Sequence, residues 1–184
     1  GASPKPESVG HAMLKGAELG GFPGEVYAIN PKYDDIDGVA CFTSLAALPN
    51  VPDHAVLGVA DHRIEDQMAA AIEAGVKAVT IFGSCYLEND DSPRLVDRLK
   101  ARAREAGLLI CGGNGMGFYN TIADTYICAS TSPLRLTRGR VALILHSGSV
   151  FSAFCDVGAR LDYSYVISAG QELTTTVADY LDYA

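Results

Sequence analysis

The chain has 184 residues, with 22 acidic against 14 basic side chains, a net charge of −8, and 48% apolar against 20% charged residues. At about 100–200 residues per domain this is one domain or one and a fraction, apolar enough to bury a core rather than stay disordered. The acidic balance argues against nucleic acid as a partner, no run approaches the ~18 apolar residues of a membrane span, and five cysteines without metal-ligand spacing point to the reducing cytoplasm.

A first helix is predicted from Glu7 to Leu19, with Val9, Ala12, Met13 and Leu19 near helical spacing and Gly20-Gly21 as its stop. Glu25 to Ile29 reads as a strand closed by Asn30-Pro31. Ala55 to Ala60 is a continuous apolar run of the kind buried in a parallel sheet. The following helix, His62 to Ala74, repeats Ile64, Met68 and Ile72 and ends at Gly75. Lys77 to Phe82 is a further strand. Ser92-Pro93 predicts a capped helix start, and the helix to Ala106 is expected to bury Leu95, Val96 and Leu99 while Arg94, Arg98, Arg102 and Arg104 stay in solvent. Leu108 to Cys111 is the next strand.

Strands alternating with helices at this rhythm predict an α/β fold with a Rossmann-like parallel sheet. A second start follows: strand Val141–Leu145, a helix from about Val150, strand Tyr163–Ser168 and a helix from about Thr175. A boundary is expected near 133–140, separating a unit at 1–135 from one at 140–184. Gly1-Ala-Ser3 opens in a turn with no strand before it, and Tyr180–Ala184 stops inside a helix. The expectation is therefore a piece of a longer polypeptide.

In parallel α/β sheets ligands sit at the carboxyl ends of the strands. Ser3, Lys5 and Ser8 lead into a helix N-terminus that favours phosphate, and Asn30-Pro31-Lys32 puts an ammonium at a second strand end. A turn with a solvated lysine explains the latter equally well. Cys111-Gly-Gly-Asn-Gly-Met-Gly117 permits close backbone approach to a ligand, or serves as a connector. Ser147, Gly148 and Ser149 offer donors to an anion, unless Ser149 simply caps a helix. His11, His54, His62 and His146 are scattered and read as surface or satisfied core residues rather than catalytic or metal-binding ones. Glu88–Asp91 reads as a solvated loop, and no metal site is expected.

In order, Gly-Ala-Ser-x-x-Pro at 1–6, Gly-x-x-x-x-Val-Tyr-Ala-Ile-Asn-Pro-Lys at 21–32, Asp-x-Ile-x-Gly at 34–38, Ser-Leu-x-x-Leu-Pro at 44–49, Glu-Ala-Gly-Val-Lys-Ala at 73–78, Ala-Arg-Glu-Ala-Gly at 103–107, Gly-x-Asn-x-x-Gly-x-x-Asn at 112–120 and Ser-Gly at 147–148 resemble the ADP-forming (NDP-forming) acyl-CoA synthetases. The alpha subunit of succinyl-CoA synthetase is their near relative. The resemblance implies a Rossmann-like CoA-binding domain at 1–135, its first strand missing, and the truncated start of a flavodoxin-like ligase domain at 140–184.

It further implies that Ser3, Lys5 and Ser8 face the phosphates of CoA, that Lys32 helps to hold them, and that Asn30 and Pro31 stand in the turn beside the coenzyme. Val59, Ala60, Phe82, Gly83 and Ser84 would line the adenine and pantetheine path, with Asn114 nearby. The reaction implied makes acyl-CoA from a carboxylic acid, CoA and ATP through an acyl phosphate and a phosphohistidine lying beyond Ala184. ATP or ADP, Mg and an ATP-grasp domain or subunit would also lie outside the chain, within an oligomer. Alone, the fragment would not complete the reaction. Leu145-His-Ser-Gly148 matches the family's Ser-Gln-Ser-Gly anion-binding turn, so His146 is not the phosphohistidine. Departures are Gly113 for Pro, Gly115 for Cys, Leu145-His146 for Ser-Gln, and Gly170-Gln171 for a later Gly-Asn. The alternatives are a non-catalytic CoA-binding regulatory module and an NAD-binding oxidoreductase domain. Against the latter, Asn30-Pro31-Lys32 stands where an acidic ribose ligand belongs.

Overall fold

Ser8 opens the first helix by accepting the His11 N–H on its hydroxyl at 3.2 Å, which satisfies one of the amides that a helix start leaves free. In the computed structural model, which describes residues 1–130, 135–157 and 161–184, helix α1 spans Val9–Gly20. Three helices, α1, α2 (Ile64–Ala74) and α3 (Leu95–Ala106), end at Gly21, Gly75 and Gly107, each left-handed, as the sequence predicts.

The stretch after α1 differs from expectation. Only Ala28–Ile29 (β1) is strand. It pairs in parallel with β3 (Val39–Phe42), which pairs antiparallel with β2 (Asp35–Ile36). The β2–β3 hairpin was not predicted, although Asp37-Gly38, with φ of 53° and 83°, is the two-residue signature of such a turn.

Strands β4 (His54–Leu57), β5 (Ala78–Ile81) and β6 (Leu109–Gly112) form a wholly parallel sheet in that order, connected through α2 and α3. One face of each helix supplies the core. Ile64, Met68 and Ala71 from α2 and Leu95, Leu99 and Ala103 from α3 pack with Leu57, Val79, Ile81 and Ile110. Ile72 is only partly buried, because a 3.6-residue turn carries the third core position to Ala71.

Two expectations for α3 are corrected. Ser92 does not cap it. The Ser92-Pro93 bond is cis, the helix starts at Leu95, and the Leu95 N–H donates to Asp90 Oδ2 at 2.6 Å. Nor is Arg98 simply solvated. Its guanidinium meets Glu65 through Nη2 at 2.8 Å and Asp90 through Nη1 at 3.0 Å, tying α3 to α2 and to the preceding loop.

The remaining strands are β7 (Gly117–Asn120), β8 (Thr125–Cys128), β9 (Arg138–Leu145) and β10 (Tyr163–Ser168), in the sheet order β8-β7-β10-β9. β9 and β10 are parallel around α4 (Gly148–Val157), but β7 is antiparallel to both β8 and β10. The fold is therefore α/β with mixed sheets, not a parallel sheet throughout. For β7 and β8 the reason is local: the Asn120 side chain accepts the N–H groups of Ile122 and Ala123 at 3.0 Å each, reversing the chain over too few residues for a crossover. Tyr119, Tyr126, Phe151, Tyr163 and Val166 form the core beneath. Helix α5 (Val177–Tyr183) closes the order behind a Thr176/Asp179 capping box.

The expected boundary at 133–140 begins within residues 131–134, which lie outside the described residues. On either side of it, Tyr119 and Val166 are register partners in one sheet. Among the described residues no helix is long and apolar enough to cross a membrane.

Candidate ligand site at the carboxyl ends of the strands

Asn30 organises the first strand end. Its Nδ2 donates to the Ala2 carbonyl at 2.9 Å and its Oδ1 accepts the Lys32 N–H at 3.0 Å. The loop before α1 and the Asn30-Pro31-Lys32 turn are thereby held together. Within the loop, Ser3 Oγ accepts the Lys5 N–H at 3.1 Å and Ser8 Oγ donates to the Lys5 carbonyl at 2.7 Å. The two serine hydroxyls thus shape the loop, while the exposed ammonium groups of Lys5 and Lys32 enter no ion pair among the described residues.

The ends of β4, β5 and β6 converge on a second cluster. Asp61 accepts the Ser84 hydroxyl at 2.6 Å and the Cys85 N–H at 2.9 Å, and the Asn114 N–H donates to the Gly83 carbonyl at 2.7 Å. Of the residues expected here, Val59 packs partly buried against the core, Ala60 is exposed, and Phe82, Gly83 and Ser84 are half-buried. Gly112 has φ of 106°, and a side chain there would meet the Ile81 carbonyl at 2.2 Å, so the glycine-rich loop leaves β6 against the β5 backbone. An open cleft of about 390 Å³ begins at Ser84 and is lined also by Tyr86, Arg94 and Gln171.

Asp61 and Gln171 were not assigned as site residues. Asp61 lies in a strand-end loop, and nothing local marks it as the partner of Ser84. Gln171 was visible only as a departure from a motif.

At the end of β9, Ser147 rather than Ser149 caps α4, with Ser147 Oγ accepting the Val150 N–H at 3.3 Å. The His146 Nε2 lies 2.9 Å from Glu172 Oε1, which also accepts the Val177 N–H at 2.9 Å. The Val177 amide, and then the histidine, hold the Glu172 carboxyl below its usual range. The His146 side chain is 64% exposed. Burial pushes the thiols of Cys85, Cys111 and Cys128 up, Cys85 to about 12, which keeps them protonated and unreactive. Among the described residues no group of three His, Cys, Asp or Glu could hold a metal ion.

A family model described as a CoA binding domain matches residues 1–121, and the chain belongs to this family. It is 30% identical over 185 aligned positions to an acetate–CoA ligase (ADP-forming) of Methanocaldococcus jannaschii, covering all of this chain and 26% of that protein. It is 28% identical to the alpha subunit of acetate–CoA ligase (ADP-forming) I of Pyrococcus furiosus, covering 41% of it. Among solved structures, the acetyl-coenzyme A synthetase 1 of Ca. Korarchaeum cryptofilum in complex with phosphate and ADP superposes with a TM-score of 0.90 at 28% identity, over the whole of this chain and 39% of the other. The chain thus spans between about a quarter and two fifths of the length of these relatives.

Proposed function

We propose that this chain binds CoA across the carboxyl ends of its strands and is the CoA-binding portion of an ADP-forming acyl-CoA ligase. The observation that carries this is the match of a CoA-binding family to residues 1–121, which supply the loops gathered around Asn30, Asp61 and Asn114. These residues fit a polyanionic ligand despite the acidic chain. Lys5 and Lys32 carry charges not consumed by carboxylates, and α1 presents first-turn amides beside them. CoA supplies the thiol that accepts the acyl group.

In this reading Ser3, Lys5, Ser8 and the Asn30-Pro31-Lys32 turn take the phosphates. Val59, Ala60, Phe82, Gly83 and Ser84 line the path of the adenine and pantetheine towards Asn114. Residues 1–135 act as a Rossmann-like unit and 140–184 begin a flavodoxin-like ligase unit. The parallel helix-connected pairs β4–β5, β5–β6 and β9–β10 support both assignments.

The overall reaction converts a carboxylic acid, CoA and ATP to acyl-CoA, ADP and phosphate. Ser147, Gly148 and Ser149 stabilise phosphoryl charge at the start of α4, with a phosphohistidine supplied from outside residues 1–184. ATP or ADP and Mg belong to an ATP-grasp domain or subunit outside these residues, in an oligomeric cytoplasmic enzyme. The five cysteines stand as thiols, which fits a reducing compartment.

Calorimetry of the chain with CoA and NAD in parallel tests the reading. CoA is expected to bind and NAD not; NAD binding without CoA binding overturns it.

A further inference from the structure

Gly170-Gln171 takes the place of a Gly-Asn pair in the family that the sequence resembles, and no contact in the proposed reaction uses it. The segment that holds this pair leaves β10 and crosses the ends of β5 and β6. The Met116 N–H donates to Ser168 Oγ at 3.0 Å, the Gln171 N–H to the Gly113 carbonyl at 2.9 Å, and the Ile110 N–H to Thr174 Oγ1 at 2.8 Å. Gly170, at φ of 63°, lies so close to the glycine-rich loop that a side chain would meet the Gly113 carbonyl at 2.2 Å.

This approach turns the Gln171 side chain back to the end of β5, where Nε2 donates to the Ser84 carbonyl at 3.0 Å. Its Oε1 lies 3.1 Å from where a Gly113 side chain would begin. Ser84 donates its hydroxyl onward to Asp61. Asp61, Ser84, Gln171 and Gly113 therefore join the ends of β4, β5, β10 and β6 in one chain of hydrogen bonds. Asparagine is one methylene shorter, about 1.5 Å. With its backbone bonded to Gly113, its amide would fall short of the contact that Gln171 makes with the Ser84 carbonyl at 3.0 Å.

We propose that Gln171 is a positioning residue that fixes the gap between Gly83-Ser84 and Gly113-Asn114 at the pantetheine end of the coenzyme site. The proposal rests on the CoA-binding reading. The residue is exposed and borders the open cleft beside Ser84, so it sits where a ligand passes rather than where the core is built. Among the described residues it has no bond to the loop at 1–8 or to the Asn30 turn, so the loops that take the phosphates are held without it.

The test is calorimetry with CoA and with 3′,5′-ADP, its nucleotide half, on the wild-type chain and on Gln171→Leu and Gln171→Asn, with thermal unfolding of each. Both variants are expected to bind CoA about tenfold more weakly, the worth of one well-formed hydrogen bond. They are expected to bind 3′,5′-ADP as the wild type does and to unfold within a few degrees of it, since one exposed hydrogen bond contributes little to the fold. Unchanged CoA affinity, or equal losses for both ligands, overturns the role of Gln171. A wild-type chain that binds neither ligand overturns the CoA-binding reading itself.

Discussion

Asn30 and Ala2, 28 residues apart, are joined by a 2.9 Å hydrogen bond from the asparagine amide to the alanine carbonyl. The same side chain accepts the Lys32 N–H, so one residue fixes both the loop that leads into α1 and the turn that carries a free ammonium. Replacing it with leucine leaves two polar backbone groups without these partners. Asn30→Leu is expected to lower stability by about 1–3 kcal/mol and CoA affinity by about tenfold. Denaturant unfolding and calorimetry measure the two. Undiminished CoA affinity would show that the loop is held by other means.

Lys32 tests which phosphate the turn serves. Lys32→Ala is expected to weaken CoA more than dephospho-CoA, because a point charge contributes only where its phosphate is present. Competition binding with the two ligands decides it, and equal losses remove Lys32 from the 3′-phosphate.

Arg98 tests the packing behind the site. Its bond to Glu65 is the largest cause that lowers that carboxyl below its ordinary 4.5. For Asp90 the Leu95 N–H comes first, and Arg98 adds to it in lowering the group below 3.8. Carboxyls depressed in the folded state contribute stability above their unfolded values and lose it as pH falls through the folded ones. Arg98→Ala should therefore lower the unfolding temperature at pH 7 and have a much smaller effect at pH 2. A deficit of equal size at both would show that the arginine acts through its aliphatic packing instead.

His54 gives the fold an acid limit. Its ring stacks on Phe118, with centroids 6.0 Å apart, its Nε2 lies 3.0 Å from Thr80 Oγ1, and burial pushes it down to about 4 from 6.5. The folded state binds fewer protons than the unfolded one between these values, so the stability that His54 allows falls as pH drops from 6.5 to 4, and its share of the loss levels off below. The size is about 3 kcal/mol. His54→Gln should flatten the unfolding free energy across this window, and a profile identical to the wild type's would assign the acid limit to other groups.

Much of the frame was legible in the residues. The Ile64-Met68 repeat, the run Lys77–Phe82 and the stops at Gly21, Gly75 and Gly107 are local features, and each became the element it announced. The Asp37-Gly38 turn is equally local, two residues with positive φ between paired strands. The strand-end loops follow from the parallel order, and the family resemblance points within them to Ser84 and Asn114. Asp90 as the first acceptor of α3, in place of Ser92, was not legible, because it stands five positions before the amide that it accepts, outside the spacing of a cap.

The sequence by itself determined the helices and the parallel strands that they connect, since periodicity and capping act over one or two turns. Only the tertiary structure decided that β10 lies antiparallel to β7, that Glu172 meets His146, and that Gln171 reaches Ser84 across 87 positions of sequence. Those partners are set by where the chain returns after burying its apolar faces. A hydrogen bond follows that return path, and no spacing along the chain encodes it.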